Sequence, residues 1–351
     1  MRLLCIANPA AYKGTVTDVP LSYARLAAHP DIELFHADTR AMLSPGRWIR
    51  ATPVAAGFMP DEFGQLSQRT SNQFLPDQFD LAFCRTLKPF PTGYLKHLAQ
   101  WSSGLRFVND PSGIQRQLEP QFFLDAAQAF IPPSVVTADE IQASQFQKRQ
   151  GTIVAKRTNS CGGRGVYRIS SSSGGSFVMD NVVEGTAEFT RFSQLFAHLT
   201  RDGSESILLM RYLPRVTEGD KRLVVVDGEI FGTYLRSSPK GHWVQNVSFG
   251  GSSTLVPAEP EDQVIIDATH AHYKRAGIHI LGYDLLKDDD GSSKVSEINA
   301  GNVGGLFRIE YLGIPGATDR FVSWLNNFYK RAGEPRARVE SPGTARQIEN
   351  T

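Results

Sequence analysis

Long apolar runs, an excess of charge, paired cysteines and internal repeats are all missing from this 351-residue sequence, and each absence removes a class of protein. The apolar stretch at residues 3–7 is too short for a secretory signal core, and nothing approaches the ~20 apolar residues of a membrane-spanning helix. The chain is therefore read as cytoplasmic, with no membrane partner. Cys5, Cys84 and Cys161 stand far apart with no C-x-x-C or Cys/His spacing, which excludes a disulfide scaffold and a thiolate metal site and leaves reduced thiols. Thirty-seven Lys and Arg against 36 Asp and Glu leave a net charge of +1, so no general field draws the chain onto nucleic acid. Any anion it binds must meet a local site. The lack of a repeat excludes a solenoid.

What remains is an ordinary globular composition, 41% hydrophobic and 21% charged, in a chain longer than one core usually serves. Two or three subdomains are expected. Residues 2–7 read as a strand opening into a polar loop, 79–85 as a strand, 94–101 as a helix and 106–109 as another short strand, an α/β order. Residues 44–76, rich in Pro, Gly, Ser and Gln, show weak periodicity. Pro120 sits where a helix starts, ahead of Phe122, Phe123, Ala126 and Ala127. Residues 152–156 and 166–169 read as a hairpin, and 170–176 as a flexible polar connection. From 207 onward strands dominate (208–212, 223–226, 230–235, 280–286 and 294–298), with one helix at 261–276, and the tail after 330 has a disordered composition.

The most informative group is Asp284 on one strand with Glu297 and Asn299 on the next. Glu297 and Asn299 are two apart and share a face. A loop centred on residues 288–293 pairs Lys287 with Lys294 and Asp284 with Glu297. Two facing carboxylates repel unless a cation lies between them, and Asp, Glu and Asn oxygens suit a hard divalent ion. The alternative is a solvated charged face. An EF-hand alignment over 286–297 puts Leu286 at the first ligand position and has strands on both sides, so the acidic triplet 288–290 is read as a solvated turn.

Lys156 ends a strand just before the glycine-rich stretch Gly162-Gly163-Arg164-Gly165. Glycines there let backbone N–H groups approach phosphate, and the lysine adds a compact charge, although the Walker spacing is absent and an ordinary turn has the same look. Asp227-Gly228 between apolar runs is a hairpin signal, and it brings Arg222 and Arg236 onto partner strands, where guanidiniums suit carboxylate or phosphate.

Taken together, these segments resemble the ATP-grasp carboxylate–amine ligases, most closely the bacterial glutathione synthetase family. The resemblance rests on 79–85, Val108-Asn109-Asp110-Pro111, Lys156 with Gly162-Gly163, Tyr212-Leu213-Pro214, 219–228, Asn246 with Gly250-Gly251, Gly282-Tyr283-Asp284 and Glu297-Ile298-Asn299, in the family's order over residues 79–328. It implies an α/β (α+β) ATP-grasp fold: an amino-terminal α/β domain at 1–118, a central lid subdomain at 119–207, a carboxy-terminal subdomain at 208–330 and a tail at 331–351. It also implies ATP and two Mg²⁺ ions, with Mn²⁺ as an alternative, small amino-acid or peptide substrates, and a homo-oligomer, dimer or tetramer. By resemblance Lys156, Gly162 and Gly163 meet the phosphates, Met210, Arg211, Tyr212 and Leu213 the adenine, and Asp220 the ribose. Asp284, Glu297 and Asn299 hold metal, Arg222, Arg236 and Asn246 serve catalysis, and Arg85, Gly250 and Gly251 contact substrate.

Three departures stand out. Pro120 replaces a phosphate-binding lysine, for which Arg116 is the nearby substitute; Val244-Gln245 precede Asn246 where the family has arginine; and 300–305 reads Ala-Gly-Asn-Val-Gly-Gly rather than Ser-Pro-Thr. The expected activity is ATP-dependent amide formation through an acyl phosphate. A non-catalytic nucleotide-binding protein and a kinase-like phosphoryl transfer are the competing readings.

Overall fold

A computed structural model of the chain describes residues 1–12, 18–43, 46–238, 243–244 and 251–331. The expected tail from 332 onward, Asn246 and Gly250 lie outside the described residues.

Three sheets organise the chain. The first contains β1 (Arg2–Ala7), β2 (Glu33–Asp38), β3 (Ile49–Val54), β4 (Asn72–Phe74) and β5 (Leu81–Cys84), in the order β4-β3-β2-β1-β5. β1 runs parallel to both β2 and β5, and its residues 3–7 are all buried, as a central strand covered on both faces requires. Leu3 and Cys5 face a cluster built from Tyr23, Phe321 and Leu325, while Leu4 and Ile6 pack against Tyr94, Leu98 and Trp101. The helices supplying those residues are Asp18–Ala28, Tyr94–Trp101 and the carboxy-terminal Ala317–Lys330.

The second sheet holds β6 (Ser134–Thr137), β7 (Ile153–Lys156), β8 (Val166–Ser171), β9 (Phe177–Asn181), β10 (Gly185–Phe189) and β11 (Ile207–Arg211), ordered β10-β9-β8-β7-β11-β6. The third holds β12 (Asp220–Val226), β13 (Glu229–Ser237), β14 (Ser252–Leu255), β15 (Ile280–Lys287) and β16 (Ser293–Asn299), ordered β14-β13-β12-β15-β16 and wholly antiparallel. Pro120 does open a helix, Pro120–Ala127, and the expected helix near 261–276 is Pro260–Arg275. Among the described residues no helix is long and apolar enough to cross a membrane.

Several sequence expectations need correction. Residues 106–109 form no strand: Phe107 makes an isolated bridge to Ala82, and the chain then turns at Asp110, whose carboxylate accepts from Ser112 N and Gly113 N to cap the helix Pro111–Gln117. The polar segment 170–176 is not a loose connection, because β8 runs to Ser171 and Ser172 N donates to Ser176 O at 2.8 Å, closing a tight turn into β9. Within 44–76 lie β3, β4 and a 3₁₀ segment, Pro60–Gln68. The hairpin β15–β16 pairs Asp284 with Glu297 as expected, yet Lys287 meets Ser293 and Lys294 meets Leu286. A bulge between Asp284 and Leu285 absorbs the one-residue difference, so the carboxylate pairing is right although the turn register is not.

One side chain that fastens the amino-terminal layer to the third sheet is Asn109, beside a second tie from Gln117 Nε2 to Ile298 O at 2.9 Å. Asn109, 6% exposed, donates from Nδ2 to Ile280 O (2.8 Å) and Ala300 O (2.7 Å) and accepts through Oδ1 from His279 N and Ile280 N (both 2.9 Å). All four partners are backbone groups. Asn109→Asp, which turns a donor toward two carbonyls into an acceptor, is expected to cost more than Asn109→Ala, itself about 2–4 kcal/mol in urea unfolding; equal, small losses would show that the joint lies elsewhere. His36, 2% exposed, is lowered to about 4 by burial against the weaker pull of Asp38. The unfolded chain then binds a proton near pH 6.5 that the fold refuses until about 4, so stability falls as pH drops through that window by about 3 kcal/mol. His36→Gln should flatten the urea-midpoint profile over that range, and an unchanged profile would exclude His36 as its source.

Candidate active site

The second and third sheets face each other across a cleft of about 610 Å³, whose lining also includes Tyr12 and Lys88 from the amino-terminal layer and the loop after Asn299. Its floor is a cluster of four charges. Asp220 and Arg222 lie two apart on β12 and share a face; Asp220 is registered with Arg236 on β13, and Arg222 with Asp284 on β15. Arg222 grips Asp284 through Nε to Oδ1 and through Nη2 to Oδ2 (3.0 Å). Arg236 Nη2 reaches both Asp220 Oδ2 (2.6 Å) and Asp284 Oδ1 (2.9 Å). Burial works against the Asp284 anion, but Arg222 and Arg236 outweigh it and hold its carboxyl below the usual range. Asp220 goes the other way: burial, opposed by Arg236 and reinforced by Asp284, pushes it up to about 7.

The cations nearest Asp284 are thus two guanidiniums. Opposite it, Glu297 makes no hydrogen bond or ion pair with a described residue, and Asn299 donates from Nδ2 to Asp284 Oδ2 at 3.2 Å. An unpartnered carboxylate beside a second carboxylate and an amide is an oxygen donor set that fits a hard divalent ion.

Lys156, at the end of β7, donates to Ser296 O (2.6 Å) and Ser296 Oγ (3.0 Å), tying the two sheets together across the cleft. Burial lowers its pKa against the attraction of Glu297 and Asp284. The following turn carries Gly162 and Gly163 at φ 66° and 78°, values that exclude most side chains. The turn rests on the amino-terminal layer: Phe90 N donates to Asn159 Oδ1 at 2.7 Å, and Cys161 Sγ donates to Lys88 O at 3.1 Å. Along another wall run Met210, Arg211, Tyr212 and Leu213. Arg211 forks onto both oxygens of Asp288 (2.7 and 2.6 Å), so the first residue of the acidic triplet is a buried ion-pair partner and not a solvated turn residue.

Some expected site residues are elsewhere. Arg85 is fully buried, paired with Asp18 Oδ2 (2.6 Å) and donating to Val303 O (2.7 Å), and it does not line the cleft. It is a structural tie under the loop, not an open carboxylate reader. Arg116 is exposed and stacks over Phe122, also outside the cleft lining, so it does not replace the lysine lost at Pro120. Gly251 precedes β14 at the sheet edge, outside that lining. Asp220, expected to hold the ribose, lines the cleft with Oδ2 on Arg236 and with Oδ1 buried and without a hydrogen-bond partner among the described residues. Conversely, Lys88, Tyr12 and Arg308 line the cleft and were not singled out from sequence, and Asn302, which also lines it, was met only within 300–305, the segment that departs from the expected motif.

This cleft, with a lysine and a glycine turn on one sheet and carboxylates and arginines on the other, is that of an ATP-grasp ligase. The family model for the prokaryotic glutathione synthetase ATP-grasp domain matches residues 121–313, more than half of the chain, and the protein belongs to that family. Glutathione synthetase of Neisseria meningitidis serogroup B is 25% identical over 319 residues, covering 88% of this chain and 93% of the relative. The Prochlorococcus marinus glutathione synthetase is 24% identical over 330 residues, covering 93% and 99%. Among solved structures, D-cycloserine synthetase superposes with TM-score 0.63 at 15% identity, covering 93% of this chain and 99% of the other. D-alanyl-alanine synthetase A of Vibrio cholerae superposes with TM-score 0.58 at 11% identity, covering 94% and 98%. The chain is an ATP-dependent ligase that forms amide bonds, and its family uses ATP with a divalent metal.

Asp284→Asn should leave two buried guanidiniums sharing one carboxylate. The expected cost is about 3–5 kcal/mol in urea unfolding, since breaking a buried pair exposes the uncompensated charge to its full desolvation penalty. A loss under about 1 kcal/mol would show that the cluster is solvated in the protein.

Proposed function

We propose that the cleft joins the carboxylate of an amino acid or peptide to an amine, with ATP lying between the second and third sheets. The carrying observation is that Lys156, Glu297 and the Arg222–Asp284–Arg236–Asp220 cluster all line one cleft. In this reading the Met210–Leu213 segment meets the adenine, and Lys156 with the Gly162-Gly163 turn meets the phosphates. Domain boundaries near 118, 207 and 330 divide the chain into the layer that presents substrate, the lid and the catalytic sheet.

A carboxylate does not condense with an amine unaided. Its oxygen attacks the γ-phosphorus, the bond to the ADP oxygen breaks, and the amine then displaces phosphate from the acyl carbon. Arg222 and Arg236, already fixed by carboxylates, stabilise the charge that builds on the transferring group without having to reorganise. Asp220 holds Arg236 in place through Oδ2, and its Oδ1 is left for the ribose contact in this reading. Asp284, Glu297 and Asn299 would hold Mg²⁺, two ions in the family-like reading, and the metal would neutralise phosphate charge. Closure of the 157–165 turn against residues 88–90 keeps water from the acyl phosphate. Glutathione as product, a cytoplasmic setting and homo-oligomerisation belong to the same reading.

One observation favours a binding-only protein: Pro120 occupies the lysine position and Arg116 turns away. Both readings are separated by ADP release from Mg²⁺-ATP with γ-glutamylcysteine plus glycine and a panel of amino acids and dipeptides, with products weighed by mass spectrometry. The ligase reading expects a new amide mass and a drop of about 100-fold or more in Glu297→Ala. Tight ATP binding with no ADP release across the panel would favour the binding-only protein.

A further inference from the structure

Two turns of the second sheet reach the cleft: the glycine turn 157–165 between β7 and β8, and the turn between β9 and β10, which contributes Val183. Val183 is 62% exposed, an apolar side chain on a cleft wall that nothing in the charged cluster uses. One buried amide joins the two turns. Asn181, 2% exposed, donates from Nδ2 to Arg164 O (3.0 Å) and Val166 O (2.8 Å), and accepts through Oδ1 from Val183 N and Glu184 N (both 2.9 Å). Both amide hydrogens and both lone pairs are thereby used, and the partners fix which end is which. Neither turn can shift alone without breaking two of these bonds.

The Glu184 side chain ties the same turn to the base of the other. Its carboxylate accepts from Tyr167 Oη (2.6 Å), meets His198 Nε2 (2.8 Å) and lies 3.6 Å from Arg157 Nη1. Arg157 donates from Nη1 to the same Tyr167 Oη (2.6 Å), from Nε to Leu199 O (3.0 Å) and from Nη2 to His198 O. Those two carbonyls lie in the last turn of the helix Phe192–Thr200, where the helix itself supplies no donor. The backbone of Arg157 then closes the glycine turn, its N–H donating to Gly165 O at 2.8 Å. The legs of the turn touch there, since a Cβ at Gly165 would stand 2.7 Å from Ser160 Cβ and 3.3 Å from Arg157 Cβ. A turn braced at its base and at its far leg is a stiff body rather than a loose loop.

We propose that the two turns form one rigid lid, in which Glu184 is a positioning residue that acts through Tyr167 and Arg157, and Val183 is the apolar surface that shuts water out of the cleft. The proposal rests on the ligase reading above and deepens it. A lid that seats as one body avoids the entropy of ordering each turn separately, and an apolar tip beside an acyl phosphate offers water no hydrogen bond.

The test uses the full chain with Mg²⁺ and AMPPNP, followed by hydrogen exchange in peptides covering 157–166 and 181–185. The nucleotide analogue is expected to slow both peptides together, and Asn181→Ala or Glu184→Ala to speed both by roughly 10-fold. Glu184 has a side chain 35% exposed and leaves no buried cavity when cut back, so it serves where Asn181→Ala loses the fold. In parallel, ADP and amide are counted during turnover of Mg²⁺-ATP with γ-glutamylcysteine and glycine. Equal amounts are expected from the wild-type chain, while Val183→Ser and Glu184→Ala release about threefold or more ADP per amide as water reaches the acyl phosphate. Glu184→Gln, which still accepts from Tyr167, should restore part of the balance. Damage to the fold alone would lower ADP and amide in step. Turns that exchange independently, or an ADP-to-amide ratio unmoved in both Val183→Ser and Glu184→Ala, would overturn the lid. Should the wild-type chain make no amide, the substrate reading is what fails: joint exchange of the two turns then sustains the lid and independent exchange overturns it.

Discussion

The charged floor of the cleft depends on Asp284 holding two largely buried guanidiniums. A lone carboxylate in that place would be neutralised by burial, and lone arginines would collapse onto whatever anion came first. Sharing Asp284 between Arg222 and Arg236, with Asp220 behind Arg236, fixes both forks before any substrate arrives. The arrangement follows from antiparallel register alone: Asp220 opposite Arg236 and Arg222 opposite Asp284 put four charged side chains on one face of three adjacent strands. Preorganised charge of this kind acts on a transition state without the rearrangement that solvent would need.

The amino-terminal layer reaches this centre through fixed contacts. Asp18 accepts from the backbone of Phe307 and Arg308 with one oxygen and binds Arg85 with the other, and Arg85 in turn donates to Val303 O. Tyr12 and Asn109 hold the loop from its other end, through Asn302 and Ala300. The loop beside the charged cluster is therefore placed by residues far from it in sequence. An arginine that looks like a substrate ligand when read along the chain, Arg85, is in the folded protein the support on which that loop rests.

That difference marks what was legible beforehand. The strands β1, β7, β15 and β16 and the Asp284–Glu297 pairing were readable because alternation and short loops are local properties, whereas 106–109 read as a strand and forms only an isolated bridge; the resemblance then supplied the order of the motifs. The register of the β15–β16 turn was not, since a bulge leaves no mark in residue type. The fate of Arg85 and Arg116 was not readable either. Whether a guanidinium faces a cleft, a buried aspartate or an aromatic ring is decided by long-range packing, here by Asp18 and Phe122. Arg308 escaped notice for the same reason, because nothing local distinguishes an unpartnered buried atom from a solvated one.

The lysine missing at Pro120 is best weighed against the charge of the whole cleft. Among the described residues its lining contains eight cationic side chains (Lys88, Lys156, Arg157, Arg164, Arg211, Arg222, Arg236 and Arg308) and four carboxylates (Asp18, Asp220, Asp284 and Glu297). In a chain whose overall charge is only +1, the positive excess is concentrated where the nucleotide and its carboxylate partner are expected. Field strength in a narrow cleft depends on the summed charge and on low-dielectric walls more than on any single residue. Lys88 and Arg164 stand beside the glycine turn, so the charge lost at one wall is present at another. The departure at Pro120 thus removes one cation from a cleft whose described lining still carries a positive excess.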